Sequence, residues 1–196
     1  MVRKITKWEI MGCYLNDYSR RHYLRELADL LKKSHQSIKP YVEELTKESI
    51  LIRYDRKNLV EYGLNLKDRR TYDYLIISEK ERLIKRLEED TYLRTLFEKL
   101  SPYFRDNTFI IFGSASERLQ KGSDIDLLVI GKQNITKTVA EFENVYNKRI
   151  HKIQVNSLDR LTIGLIKEVY KKHLIFNNTE QVILFFGGLY EENKLV

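Results

Sequence analysis

Cysteine is nearly absent from this chain: Cys13 stands alone among 196 residues. One cysteine cannot close an internal disulfide, and it excludes any multi-cysteine zinc site. Two prolines and eight glycines are too few for a fibrous or low-complexity chain. No apolar run approaches the roughly 18 residues that a membrane helix needs. The opening MVRKITKWEIMGCY lacks the apolar core of a secretory signal. These absences together predict a reducing, cytoplasmic location without membrane association. His22, His35, His151 and His173 are scattered without ligand spacing, so no histidine metal cluster is expected.

With 42% apolar and 32% charged residues, the chain can bury a core. Its length suits one or two domains. The net charge of +7 is unevenly placed. Residues 1–70 hold 16 Lys/Arg and 10 Asp/Glu, a net of +6, which leaves +1 for the remainder. A basic first third beside a near-neutral remainder suits a nucleic-acid-binding module, and it equally suits an ordinary basic surface.

Apolar residues at three- and four-residue spacing predict a first helix through Ile5, Trp8, Met11, Leu15 and Tyr18. Thr6 and Glu9 form a capping-box pattern at its start. A second helix carries Tyr23, Leu24, Leu27, Leu30 and Leu31. A third follows the N-cap Ser34 and turns Ile38, Tyr41, Val42 and Leu45 inward. Strands Ile50 to Tyr54 and Leu59 to Leu64 then flank the polar turn Asp55-Arg56-Lys57-Asn58.

Three short helices and a basic hairpin make a winged helix-turn-helix pattern. The run ELADLLKKSHQSIKPYVEELTKESILIRYDRKNLVEYGLN resembles archaeal and bacterial winged-helix regulators. The resemblance implies DNA binding, with Gln36, Ser37 and Lys39 at base edges. Arg53, Arg56 and Lys57 of the wing would lie on phosphates. A winged helix used for protein contacts is the alternative. Winged helices often work as dimers, which makes a homodimer one expectation. Pro40, inside the third helix, removes a hydrogen bond there.

From Asp68 to Leu100 the pattern is helical again, with Leu75, Ile76, Leu83, Ile84, Leu87, Leu93, Leu96, Phe97 and Leu100 as the apolar face. Thr108 to Phe112 reads as a buried strand that runs into Gly113-Ser114. After nine further residues, Asp124-Ile125-Asp126 opens a second strand, Ile125 to Ile130. Period-two alternation puts Asp124 and Asp126 on one face, with Cα atoms roughly 7 Å apart. Paired carboxylates need a counter-charge, and magnesium prefers carboxylates together with substrate phosphates. Two such ions could hold both attacking and leaving oxygens of a phosphoryl transfer. Gly113 lets backbone approach a phosphate, Ser114 can donate to one, and Arg118 and Lys121 can assist.

FGSASERLQKGSDIDLLVIG resembles the signature of DNA polymerase beta-type nucleotidyltransferases, and more narrowly the minimal nucleotidyltransferases of archaea and bacteria. The resemblance implies that Gly113 and Ser114 bind an NTP and that Asp124 and Asp126 hold Mg2+ and are catalytic. LIKEVYKKHLIFNNTEQVILFF resembles the closing helices of winged-helix-fused members. Three positions depart from the family pattern. Glu117-Arg118 stands where a basic residue and glycine are common. On the next strand, placed at Arg149 to Val155, the third-carboxylate position reads Gln154. His151 and Asp159 lack the expected spacing. Asn177-Asn178 stands where a glycine turn is common.

The sequence thus predicts an α/β (α+β) chain: a winged helix-turn-helix over 1–66, a helical connector over 67–102, and a nucleotidyltransferase domain with a short mixed sheet over 103–196. Three readings stay open. The first is an enzyme that moves a nucleoside monophosphate from Mg-NTP to a hydroxyl. The second is a DNA-binding regulator whose nucleotide domain is inert or sensory. The third is an antitoxin-like protein with a HEPN-type toxin partner, a role the resembled family includes. Cys13 is expected in the core, and Gly187-Gly188 is expected to form a turn.

Overall fold

A computed structural model describes residues 5–57, 59–119 and 123–195. It divides into two compact units, Met1–Glu79 with Gly187–Lys194 and Val196, and Lys80–Phe186 with Leu195. The stretch 67–102, expected as a connector, is shared between them.

The first unit runs through α1 (Lys7–Gly12), β1 (Arg21–Tyr23), α2 (Leu24–Leu31), α3 (His35–Lys47), β2 (Leu51–Arg56), β3 (Leu59–Leu64) and the first part of α4 (Arg69–Glu89). The Thr6 hydroxyl accepts the Glu9 N–H at 3.2 Å, and Glu9 Oε2 accepts the Thr6 N–H at 3.0 Å, closing the expected capping box. Beyond Gly12 the predicted helix stops short. The N–H groups of Cys13 and Tyr14 reach back three residues, to Ile10 and Met11, and tighten the chain into turns. Glycine is the weakest helix former after proline, and Tyr14 gains more by burial, where its hydroxyl donates to the Tyr62 carbonyl at 2.9 Å. Burial also pushes the Cys13 thiol up to about 12, with Glu9 adding to the shift, so this sulfur is no ready nucleophile.

Ser34 caps α3 by accepting the Ser37 N–H at 3.2 Å, and Ile38, Val42 and Leu45 are buried as their spacing requires. The helix continues through Pro40. β1 escapes sequence reading because three residues are too short to show alternation. It completes an antiparallel sheet in the order β1-β3-β2.

The second unit contains the rest of α4, α5 (Thr91–Leu100), β4 (Asn107–Phe112), α6 (Ser114–Glu117), β5 (Ile125–Gly131), α7 (Thr136–Tyr146), β6 (Ile150–Val155), α8 (Ile163–Lys171), β7 (His173–Ile175) and most of α9 (Thr179–Glu191). Its sheet has the order β6-β5-β4-β7. β5 and β6 are parallel, and β4 runs antiparallel to β5 and β7, so the sheet is mixed. One face, carrying Phe109, Ile111, Ile125, Leu127 and Val129, forms a core with Leu96, Leu100, Val139 and Phe142. On β7, the buried His173 ring packs against Phe186. Burial, with Arg82 adding to it, holds that imidazole well below its usual range and therefore neutral.

Three expectations need correction. Ile84 belongs to the predicted apolar face of α4 but is 58% exposed, because the helix buries only a narrow stripe there. The closing segment contains β7 as well as helices. Gly187 and Gly188 lie inside α9, not in a turn. Gly187 is needed there because a Cβ would run into the Tyr72 ring.

Asn177, where a glycine was expected, clamps β4. Its Oδ1 accepts the Phe109 N–H at 2.9 Å, and its Nδ2 donates to the carbonyls of Phe104 and Asn107 at 3.0 and 2.8 Å. Glycine could make none of these bonds. Asn177→Ala leaves one donor and two acceptors without their partner and should cost about 2–4 kcal/mol. Urea unfolding of the two proteins measures this, and a loss under about 1 kcal/mol would mean that water replaces the clamp.

Candidate functional site

β4 is buried at every position and ends at Gly113, where φ is +67° and ψ is −151°. Residues with a Cβ rarely adopt this conformation. It turns the chain sharply into α6, whose first residue, Ser114, is exposed. The turn is fixed by the Gly113 N–H donating to the Lys172 carbonyl at 3.1 Å and by the Ser116 hydroxyl donating to the Gly113 carbonyl at 2.7 Å.

Antiparallel pairing aligns Phe112 with Asp126, so Gly113 comes directly beside that acid. A Cβ added at Gly113 would lie 2.9 Å from Asp126 Oδ2. The glycine–serine turn and the carboxylate, separated in sequence, thus meet at one end of the sheet. Asp124 stands one residue ahead of β5 and is exposed. It lines a cleft with Lys148, Arg149 and His151.

The residue across from Asp126 on β6 is His151, not Gln154. Its Nδ1 lies 3.3 Å from Asp126 Oδ1. Gln154 pairs with Val129, three residues or roughly 10 Å farther along the strand and on the opposite face. There its amide nitrogen, Nε2, donates to the carbonyls of Gly131 and Gln133, each at 3.1 Å. The expected vacancy at Gln154 is therefore a register error, and the neighbour of Asp126 is an imidazole. A faint signal existed: Ile125-Asp126 and Ile150-His151 each place a buried isoleucine before a polar residue at a strand start.

Glu117 turns to Lys172, with an ion pair of 3.0 Å, so its charge is locally balanced. Arg118 is exposed in extended backbone just after α6. Lys121 lies outside the described residues. Among the described residues, no group of three or more His, Cys, Asp or Glu side chains could hold a metal ion. Two carboxylates nevertheless suit a hard cation that takes its remaining oxygens from phosphate and water.

In the first unit, Gln36, Ser37 and Lys39 are exposed on the opening turns of α3. Lys39 lies 3.7 Å from Glu43. Arg56 and Lys57 are exposed at the hairpin end. Arg53 is exposed too, but its guanidinium donates to Asp55 at 2.8 and 3.0 Å. Glu44 is taken up by Lys7 at 2.8 Å.

Gly113→Ala would force a Cβ against Asp126 and strain the backbone by about 1–3 kcal/mol. Ser114→Ala, which changes no backbone preference, should leave stability nearly unchanged. Thermal unfolding of both variants tests the difference, and equal melting temperatures would refute the close approach.

Residues 98–181 match the family model described as Polymerase beta, Nucleotidyltransferase. No curated protein matches the chain. Among solved structures, the chain is similar to a mutant of the toxin–antitoxin MntA–HpeT, at 15% identity and a TM-score of 0.39, over 52% of this chain and 88% of that one. It is also similar to a toxin–antitoxin with AMP-PNP, at 18% identity and a TM-score of 0.38, over 50% of this chain and 89% of that one. Among the described residues, no helix is long and apolar enough to cross a membrane.

Proposed function

We propose that the second unit is a nucleotidyltransferase that moves a nucleoside monophosphate from an NTP to an acceptor hydroxyl. The observation that carries this reading is the close approach of the Gly113 turn to Asp126, where a Cβ at Gly113 would lie 2.9 Å from Asp126 Oδ2. Gly113 and Ser114 cradle the triphosphate. Arg118, and Lys121 beyond the described residues, add positive charge toward it. Asp124 and Asp126 would hold Mg2+, one ion or two, which when bound neutralises charge on the phosphate oxygens. The acceptor oxygen bonds to the α-phosphorus, the bond to the bridging oxygen breaks, and pyrophosphate leaves with that electron pair. The hydroxyl proton passes to water. Most of the rate gain in such a transfer comes from positioning and charge stabilisation.

A non-catalytic, nucleotide-sensing reading is favoured by one observation: an imidazole, His151, and not a third carboxylate, stands beside Asp126. Asp126→Asn separates the two readings. With each α-labelled NTP, magnesium and candidate acceptors, the wild-type protein should transfer label and the variant should lose at least about 100-fold. If the wild-type protein binds nucleotide but labels no acceptor, the sensing reading stands instead.

The first unit is, in the same proposal, a winged helix-turn-helix that binds DNA. The order α1-β1-α2-α3-β2-β3, the antiparallel sheet and the exposed Gln36, Ser37, Lys39, Arg56 and Lys57 support it. Arg53, already paired with Asp55, is the weakest member of the surface. Duplex affinity should fall with salt at a log–log slope of about −0.9 per phosphate neutralised. Replacing Lys39, Arg56 and Lys57 together by Ala should flatten that slope, whereas Arg53→Ala should change it less. Unchanged binding in the triple variant would remove this surface from the account.

A further inference from the structure

The turn assigned to the phosphates carries an acid. In α6, Ala115 and Ser116 are buried while Ser114 and Glu117 are exposed. Residues three apart on a helix are neighbours, so the Glu117 carboxylate shares a face with the Ser114 hydroxyl. A bare carboxylate there would repel a polyphosphate chain. Glu117 is not bare: its Oε2 accepts the Lys172 ammonium at 3.0 Å.

Lys172 is anchored to this turn by its backbone. It lies 55 residues beyond Glu117, at the end of α8. Its carbonyl accepts the Gly113 N–H at 3.1 Å. The next residue, His173, is buried and pairs with Phe112 in the register of β4 and β7. Two backbone ties thus fix the root of the Lys172 side chain beside Gly113 and Ser114. Its ammonium is a cation that the signature over residues 112–131 does not contain.

The ion pair does little for the fold. Its Lys172 and Glu117 side chains are 49% and 55% exposed, and pairs in that setting add little stability. The backbone bonds hold the turn to the start of β7 without it. Such a pair exchanges readily. A phosphate group beside Ser114 offers the ammonium a charge-assisted bond and more negative charge than one carboxylate does.

We propose that Lys172 reads the outer phosphates of the nucleotide, and that Glu117 holds its ammonium until they arrive. On binding, the ammonium leaves the carboxylate for a phosphate oxygen, and no covalent bond changes. Glu117 sets a threshold, because it competes with the ligand for the same cation and repels any phosphate that fails to take it. A triphosphate has the charge to cross that threshold, and a diphosphate has less. This inference rests on the nucleotidyltransferase reading and adds the means by which the length of the phosphate tail is measured.

The test measures binding and not turnover. Calorimetry on the full chain with magnesium uses α,β-methylene analogues of the common NTPs and of the matching NDPs. The wild-type chain should prefer the triphosphate. Lys172→Gln should lower triphosphate affinity about tenfold and diphosphate affinity less than about twofold, as expected for the loss of one charge-assisted bond. Glu117→Gln should raise triphosphate affinity about threefold and narrow the preference over diphosphate. The double variant separates phosphate binding from screening of the acid, and should stay about tenfold weaker than Glu117→Gln alone. Affinity equal to that of Glu117→Gln would mean that Lys172 only masks the acid, and would overturn the proposal. So would equal losses for the two ligands in Lys172→Gln. Unchanged affinities with a melting temperature lowered by more than about 5 °C would make the pair a structural clip and overturn it too. In each of these cases the wild-type chain still binds nucleotide, and the nucleotidyltransferase reading survives. If the wild-type chain binds none of the analogues, that reading falls and this inference with it.

Discussion

The approach of the Gly113 backbone to the Asp126 carboxylate is the constraint on which the candidate site depends. It requires a buried β4 that delivers the chain to one end of the sheet, and a positive φ that turns it there. It also requires antiparallel register that aligns Phe112 with Asp126. If any of these shifts, the two halves of the site separate, because a one-residue slip in a strand reverses the face of every side chain. The Asn177 clamp and the hydrogen bond from the Gly113 N–H to the Lys172 carbonyl hold β4 from its other side, so the register is secured by bonds outside the site itself.

The flanks of β5 differ in chemistry. Toward β4 lies a turn of exposed backbone and one hydroxyl, suited to oxygen-rich phosphates. Toward β6 lie an imidazole and two cations beside an acid. A mixed sheet produces this asymmetry, since the antiparallel neighbour contributes its C-terminal end and the parallel neighbour its N-terminal end to the same edge.

In the first unit, local pairing sorts the candidate DNA contacts that charge alone leaves equal. Lys39, Arg53, Arg56 and Lys57 look alike in the sequence, but Arg53 already serves Asp55 with two short hydrogen bonds. Glu44, which would repel a phosphate, pairs with Lys7 from α1, a cation it shares with Glu48. Local partners of this kind are invisible to a count of basic residues, because they depend on rotamers and on which residues share a sheet face.

The helices α2, α3, α4 and α5, the hairpin strands, β4 and β5 were legible in the sequence, because periodicity, caps and apolar runs are local properties. So was the meeting of the Gly113 turn with Asp126. The short strands β1 and β7 were not legible, since three residues carry no period and are stabilised by their partners. Nor was the end of α1, which the burial of Tyr14 decides against helical spacing. The identity of the residue beside Asp126 was decided by tertiary structure. Spacing along the chain pointed to Gln154, but the hydrogen-bond register between β5 and β6 places His151 there. Register arises from which faces of two distant strands are buried together, and no single stretch of sequence contains that information.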